Sequence, residues 1–286
     1  MRFELIFLNT ADPSLGRVDH ESLPQQALME MVIGEITNKE VICGDVDEPK
    51  DIEEWKGVTI EKDEVVAIDW DELELQGSLH LEWLPSSVRE FVVPWNQLTG
   101  TLSWASLPTS LESLDVAMNS FTGSIGLERL PERMKCLNVF KNKLSGPLKL
   151  DSLPDTLTDF VAYNNYFSGS VDLTRLPAAL IYLNLAKNQL SGYVVLTQLP
   201  DSLKFLYLSR NQCFGSLDLT RLPSSMCRLH VDNNSFSGTV DLSQLPQGLD
   251  GLYLSDNEFS GEVSISDKLF DTVDAKNTKL IKRHME

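Results

Sequence analysis

The 286-residue sequence has few cysteines and no long apolar run. Its four cysteines, at positions 43, 136, 213 and 227, lack the paired spacing of a disulfide framework, which favours a reducing compartment over secretion. The apolar run from Phe3 to Leu8 is interrupted by Glu4 and is too short for a signal peptide. No segment approaches the roughly 20 apolar residues that a membrane span needs. These absences predict a cytoplasmic protein.

Basic residues are also scarce: 24 lysines and arginines stand against 42 acidic residues, and the formal charge is −18. Residues 1–83 carry 21 acidic and 6 basic residues, whereas the remainder carries 21 and 18. A surface of this sign repels phosphate backbones and anionic lipids, so neither nucleic acid nor a membrane is expected as a partner. The uneven charge predicts two differently built segments.

A 23-residue period dominates the sequence from about residue 65 onward. Leu-Pro recurs at this spacing from position 84 to position 245, asparagine from 96 to 257, and glycine from 77 to 261. Three registers kept over about 180 residues predict a repeat architecture, in which each turn buries its apolar stripe against its neighbours. The repeated asparagines are Asn96, Asn119, Asn142, Asn165, Asn188, Asn211, Asn234 and Asn257.

The unit from 180 to 200 illustrates the local structure of one turn. Apolar and exposed positions alternate over residues 181–186, which predicts a short strand with one buried face. Asn188 then predicts a turn in which the amide side chain bonds to backbone groups of its own turn and of the next one. Val194 and Leu196 alternate again and predict a second extended segment on another side of the coil.

This unit resembles the leucine-rich repeat pattern L-x-x-L-x-L-x-x-N-x-L/F. The added F/L-S/T-G-x-V/L-x-L stretch is similar to the plant-specific subclass found in plant receptor ectodomains. The Leu-Pro-x-x-Leu junction at a 23-residue period resembles the expanded repeat families of unicellular eukaryotes. The resemblance implies an α/β solenoid: a leucine-rich repeat horseshoe with a parallel β-sheet on the concave face, second short strands and turns elsewhere, and a helical N-terminal cap.

The repeat register divides the chain into three parts. Residues 1–64 form an acidic N-terminal segment and helical cap, residues 65–281 an array of nine units plus a degenerate half unit, and residues 282–286 a polar tail. Ser22-Leu23-Pro24-Gln25 has the form of a capping box and predicts a helix over about 23–37. Residues 1–22 give no assignment beyond a short strand at Phe3–Leu8. Trp55-Lys56-Gly57-Val58 resembles the plant-type cap, but Glu53 and Ile60 replace its flanking cysteines.

The cluster that most resembles a catalytic site is Cys227, His230 and Asp232. All three fall at exposed positions of the repeat, and nothing supplies an oxyanion site, so they are interpreted as surface residues. Structural zinc requires four ligands, whereas Cys227-x-x-His230 supplies two and has no second pair. The acidic loop at 45–54 lacks the glycine and spaced ligands of an EF-hand. The sequence therefore predicts no enzyme, no cofactor and no metal site.

The outward positions of the strands offer a surface instead. Large aromatic side chains concentrate there in the middle turns, flanked by basic residues, and this is the usual composition of an interface hot spot. Nine or ten strands at about 4.8 Å spacing give a face roughly 40–45 Å long, which suits a protein segment. The predicted partner-binding residues are Phe140, Lys141, Tyr163, Tyr182, Lys187, Phe205, Tyr207, Arg210, Arg228 and His230.

Two functions fit this surface. The first is a monomeric, non-catalytic protein–protein interaction module that binds a protein partner through the concave sheet face. The second is a receptor-like recognition protein that binds peptide or glycan at a surface. A purely structural interpretation is also open, in which neighbouring aromatic rings simply pack on one another across strands.

Overall fold

The computed structural model describes residues 23–285. The strand predicted at Phe3–Leu8 and Ser22 of the predicted capping box lie outside the described residues. The N-terminal cap contains two helices, Gln25–Val32 and Glu40–Cys43, and a short 3-10 helix, Ile52–Glu54. The first helix is shorter than the predicted 23–37, because the chain after it turns to pair with the first repeat: the Thr37 N–H donates to Gln76 O at 2.9 Å.

The concave face carries an eleven-stranded sheet whose first two strands form an antiparallel hairpin. The other strands are parallel and pair in an unbroken register, one strand for each turn of the solenoid. In sheet order they are Val58–Glu61, Glu64–Asp69, Glu90–Val92, Ser113–Asp115, Cys136–Asn138, Asp159–Val161, Tyr182–Asn184, Phe205–Tyr207, Arg228–His230, Gly251–Tyr253 and Val273–Asp274.

Seven further strands form a second parallel sheet, and each comes after the concave strand of its own turn. Two further strands, Gln76–Ser78 and Gln97–Thr99, pair separately near the N-terminal end. Short 3-10 helices connect several turns, at Leu81–Trp83, Trp104–Ser106, Leu127–Arg129, Leu150–Ser152 and Asp267–Thr272. The seven strands of the second sheet are Ser145–Gly146, Tyr166–Gly169, Gln189–Gly192, Gln212–Gly215, Ser235–Gly238, Glu258–Ile265 and Lys279–His284.

The predicted solenoid with its concave parallel sheet is confirmed, but the second strands are placed differently from the prediction. Five of the seven begin directly after the repeated asparagine, as at Gln189–Gly192, and none begins at the Val194–Leu196 alternation. Gly192 has φ of +92°, which turns the backbone out of the extended ladder at that point. Val194 and Leu196 are still buried, so their alternation reports the core and not a strand.

The repeated asparagines form the predicted ladder. Each side-chain oxygen accepts a hydrogen bond from the backbone N–H 21 residues earlier, and each amide nitrogen donates to the carbonyl 26 residues earlier. Each asparagine therefore joins its own turn to the preceding one, and the prediction that it joins the next turn is wrong in direction. In the first unit Leu73 occupies the asparagine position, and Asn38 of the cap accepts from Gln76 N and donates to Glu74 O.

One continuous apolar core runs from Met29 in the cap to Val273 in the last concave strand. The inward leucines of the strands, such as Leu183 and Leu206, have no exposed surface. At the C-terminal end, the strand Lys279–His284 pairs with Glu258–Ile265, so residues 282–284 of the predicted polar tail lie within the last strand. The outward side chains of the concave sheet are thus held on a continuous, closely packed support.

Candidate functional site on the concave face

The parallel register places equivalent residues of successive turns side by side. Tyr182 pairs with Phe205, and Phe205 with Arg228, in one row of the concave sheet. Tyr207 pairs with His230, and His230 with Tyr253, in the next row. Since inward and outward side chains alternate along a strand, both rows face away from the core.

The aromatic side chains of these rows form a chain of ring contacts. The ring of Tyr182 lies 5.8 Å from that of Phe205 and 5.4 Å from that of Tyr207, centroid to centroid. His230 lies between Tyr207, at 4.6 Å, and Tyr253, on which it stacks at 3.9 Å. All five side chains are half-buried. We call Tyr182, Phe205, Tyr207, His230 and Tyr253 the concave ring chain.

Phe140 and Tyr163 form a separate stacked pair, with ring centroids 5.2 Å apart and planes inclined by 21°. They occupy the position two residues before the repeated asparagine, at the edge of the strands. The structure therefore brings the predicted aromatic residues together in two groups rather than one. Both groups keep part of their ring surface open to solvent.

Three of the four predicted basic residues form a rim beside the rings. Lys141, Lys187 and Arg210 are exposed and have no ion pair within residues 23–285. Their backbone φ angles are 52°, 55° and 54°, in the left-handed region, because each precedes a repeated asparagine where the chain turns. We call these three residues the basic rim.

Arg228 differs from the basic rim because it is already paired. Its guanidinium donates to Asp250 at 2.6 and 3.0 Å, and this carboxylate raises the pKa of Arg228. Burial raises the pKa of Tyr207, which lies beside Arg228, so the Tyr207 hydroxyl stays protonated and can donate a hydrogen bond. Arg228 is therefore held at the edge of the concave ring chain by Asp250, and its charge is not free to pair with a ligand.

The predicted site omitted Tyr253 and Asp232. Tyr253 belongs to the same row as His230, and the repeat register alone could have identified it. Asp232 Oδ1 lies 3.6 Å from His230 Nδ1 and is buried without a hydrogen-bond partner among the described residues. Burial by itself would raise the pKa of Asp232, but interactions with His230 and with Asn233 outweigh it and lower that pKa. Asp232 is thus a partly buried carboxylate that lies beside the His230 ring.

The Cys227 thiol does not lie against His230. It donates to the backbone oxygen of Ser225 at 3.4 Å, so the two side chains do not form a nucleophile–base pair. Within the part of the chain that the structure describes, no group of three or more histidine, cysteine or acidic side chains could hold a metal ion. No helix among the same residues is long and apolar enough to cross a membrane.

The four cysteines are free thiols, and two of them are core residues. Cys213 stands in a column otherwise occupied by buried leucine and phenylalanine, and neither Cys43 nor Cys213 has any exposed surface. A buried thiol behaves as a small apolar side chain. The number and spacing of the cysteines therefore say little about the redox compartment, which was one of the grounds for the predicted location.

Iodoacetamide is expected to leave Cys213 unmodified in the folded protein. Burial raises the pKa of this thiol to about 11, and only the thiolate reacts, so at about pH 8 alkylation must wait for unfolding. Peptide mass spectrometry after labelling with and without guanidinium would measure this. Equal labelling of Cys213 in both conditions would show that the thiol is not held in the core.

Comparisons with known proteins agree with the repeat. No protein-family model and no curated protein matches the chain. The plant peptide hormone receptor RGFR1, solved in complex with RGF2, is 25% identical, with a TM-score of 0.56 over 73% of this chain and 34% of the receptor. The Arabidopsis receptor kinase HAESA, solved with the peptide hormone IDA and the co-receptor SERK1, is 27% identical, with a TM-score of 0.53 over 62% and 31%.

A plant ice-binding protein shares the fold over almost its whole length. It is 19% identical, with a TM-score of 0.66 over 90% of this chain and 95% of that protein. The chain spans only about a third of the length of the two receptors. The repeat and the fold together identify the chain as a leucine-rich repeat protein.

The predicted cytoplasmic location is wrong. RGFR1 and HAESA, to which the chain is similar, are plant receptors whose ectodomains are extracellular. The cysteines misled the prediction because Cys43 and Cys213 are buried as small apolar residues of the core, and such residues do not report the redox compartment.

Proposed function

We propose that the chain is a receptor-like recognition module, working outside the cell, that binds an extended peptide segment along its concave face. The observation that carries this proposal is the concave ring chain beside the basic rim. Aromatic rings with one side packed and one side open are rigid, and binding them costs little conformational entropy. Packing of the rings on one another thus prepares the surface without closing it.

The basic rim supports an acidic or carboxylate-bearing peptide. Among residues 23–285, Lys141, Lys187 and Arg210 have no ion-pair partner, and they lie on a protein whose formal charge is −18. Such a local reversal of charge steers an anionic segment to one edge of the face and fixes its direction. The apolar residues of the same segment would then contact the ring chain.

The solved complexes favour the receptor-like function over an interaction module inside the cell. RGFR1 was solved with RGF2, and HAESA with IDA and SERK1. These are peptide hormones and, in the second case, a co-receptor. We therefore place the proposed ligand among peptides presented outside the cell.

Replacement of both Tyr163 and Phe205 with alanine is expected to weaken peptide binding about thirtyfold, equivalent to about 2 kcal/mol. The measurement is selection of a random linear peptide library on the wild-type protein, followed by titration calorimetry of the enriched peptides. We expect those peptides to combine acidic and aromatic residues.

A matched control removes the same two residue types from the other sheet, as Tyr166→Ala/Phe214→Ala. Both side chains are exposed there, so this variant should bind the peptides as the wild type does. Circular dichroism of both variants would check that the fold is kept. A library that enriches no peptide, or enriched peptides that bind both variants equally, would refute the concave site.

A further inference from the structure

We propose a second binding site, for a neutral oligosaccharide, on the flank of the solenoid around Tyr193. This site follows the second sheet and shares no residue with the concave face. Tyr193 is 71% exposed, more than any other large apolar side chain in the described residues. Val195 and Phe214 beside it are 43% and 41% exposed. An exposed apolar cluster of this kind on one flank marks an interaction surface.

The Tyr193 ring is held in place although it is exposed. It contacts the Phe214 ring with centroids 4.8 Å apart and planes at 65°. A Cβ atom on Gly215 would lie 2.4 Å from Tyr193 Cδ1, so the absence of a side chain at Gly215 leaves room for the edge of the ring. The ring therefore forms a rigid platform, which is the arrangement on which the apolar face of a pyranose stacks.

Two carboxylates flank this platform along the solenoid axis. Asp172 and Asp218 hold equivalent positions in the turns before and after that of Tyr193. Asp172 Oδ1 accepts from the Thr174 hydroxyl at 2.6 Å and its N–H at 2.8 Å, and Asp218 is held in the same way by Thr220. These hydrogen bonds lower the pKa of both aspartates. In each case the other oxygen has no hydrogen bond within residues 23–285, and it can accept one from a sugar hydroxyl.

The polar groups of this flank suit the hydroxyl groups of a sugar. Arg175 and Arg221 follow the aspartates by three residues and lower their pKa values through space, and neither forms an ion pair within residues 23–285. The flank thus offers both carboxylate acceptors and guanidinium donors. A sugar hydroxyl can donate a hydrogen bond to the first and accept one from the second.

The dimensions also suit a saccharide. Ser170, Asp172, Tyr193 and Val195 line a shallow cavity of about 360 Å³, within the size range of small-ligand sites. Successive turns lie about 4.8 Å apart, close to the length of one pyranose residue in an extended chain. A chain of sugars along the solenoid axis would therefore place one residue on each turn.

Affinity electrophoresis tests this site, with native gels that contain soluble mixed-linkage β-glucan, galactomannan or dextran. Retardation of the wild-type protein by at least one of these neutral polysaccharides is expected. Tyr193→Ala should weaken the binding at least tenfold, and Tyr193→Phe, which keeps the ring, should retain it. Asp172→Asn/Asp218→Asn should also weaken it, because the amides accept hydrogen bonds less strongly than carboxylates.

Two control variants separate this site from the rest of the surface. Tyr166→Ala removes another exposed tyrosine of the second sheet and should migrate like the wild type. Tyr163→Ala/Phe205→Ala alters only the concave face and should also keep the retardation, so the two proposals can fail independently. Absence of retardation in all three gels, equal retardation of Tyr193→Ala, or binding to anionic polygalacturonate alone would overturn the inference.

Discussion

Gly77→Ala is expected to lower the free energy of unfolding by about 4 kcal/mol, the size of effect that marks a severe steric conflict. A Cβ atom at this position would lie 2.0 Å from the backbone oxygen of Glu35, and φ is +104°. Gly77 is where the N-terminal cap meets the first turn: the Ser78 N–H donates to Glu35 O at 3.2 Å on one side of it, and the Thr37 N–H donates to Gln76 O on the other. The substitution must separate the cap from the array, since backbone blocks the new atom.

The matched control is Gly169→Ala, at the same position of a later repeat. Its φ is +82°, but the nearest atom to the added Cβ is 4.0 Å away. Only the cost of the left-handed backbone remains, about 1 to 2 kcal/mol. Urea unfolding followed by circular dichroism would compare the two variants. If they lost equal stability, contact between cap and array would contribute nothing at Gly77.

Asn165→Ala is expected to lower the free energy of unfolding by about 3 kcal/mol. Asn165 is only 5% exposed. Its oxygen accepts from Leu144 N–H at 3.1 Å, and its amide nitrogen donates to Val139 O at 2.9 Å and to Ala162 O at 3.3 Å. The substitution leaves the buried Leu144 N–H without a partner and out of reach of water, which is the costly way to lose a hydrogen bond. The two carbonyl oxygens each keep one donor, Asn142 for Val139 O and Asn188 for Ala162 O.

The adjacent residue provides the control for the ladder. Asn164 has a φ of 60°, and the structure gives its side chain no hydrogen bond within residues 23–285. Asn164→Gly keeps the backbone conformation accessible, so stability should change by no more than about 0.5 kcal/mol. Thermal and urea unfolding of both variants would measure the difference. If Asn165→Ala lowered the free energy of unfolding by less than 1 kcal/mol, as the loss of an exposed amide would, the ladder would not stabilise the fold.

The period of the sequence was sufficient to predict the array. The strand Tyr182–Asn184 lies inside the predicted 181–186, and Asn188 makes the predicted bonds to its own turn. Its bonds between turns lead to the preceding turn and not, as predicted, to the next one. The strand and the bonds within the turn follow from alternation and spacing, which are local properties. The prediction placed the second strands wrongly because Val194 and Leu196 alternate as strand residues do, although their backbone does not pair. A pattern of apolar residues does not show which backbone groups pair.

The cap shows where local signals fail. The helical periodicity continues to Ile36, yet the helix ends at Val32. Ile36 is instead buried beside Gly77, in an isolated bridge with it. Contact with the first repeat thus overrides the helical preference of this segment, as tertiary packing commonly does. Nothing within the cap sequence itself could indicate that contact.

For the concave face, the register predicted which residues share a row but not how their rings meet. The stacking of His230 on Tyr253 depends on side-chain rotamers, and the pairing of Arg228 with Asp250 removes a charge that the sequence counted as free. Tyr193 was not predicted because its position in the repeat is not a regularly apolar one. The signal in the sequence was a tyrosine at a position where other repeats have small polar residues, such as Ser170, Ser216 and Thr239.

The asparagine ladder reaches back by one turn and no further. Asn188 bonds to Phe167 and Ala162 in the preceding turn, and Asn211 repeats the same bonds to Leu190 and Leu185. A gain or loss of one whole 23-residue unit inside the array would therefore rejoin surfaces that already fit each other. Unequal recombination between repeats would lengthen or shorten the concave face in whole turns. The N-terminal cap and the last strand, Lys279–His284, would remain unchanged.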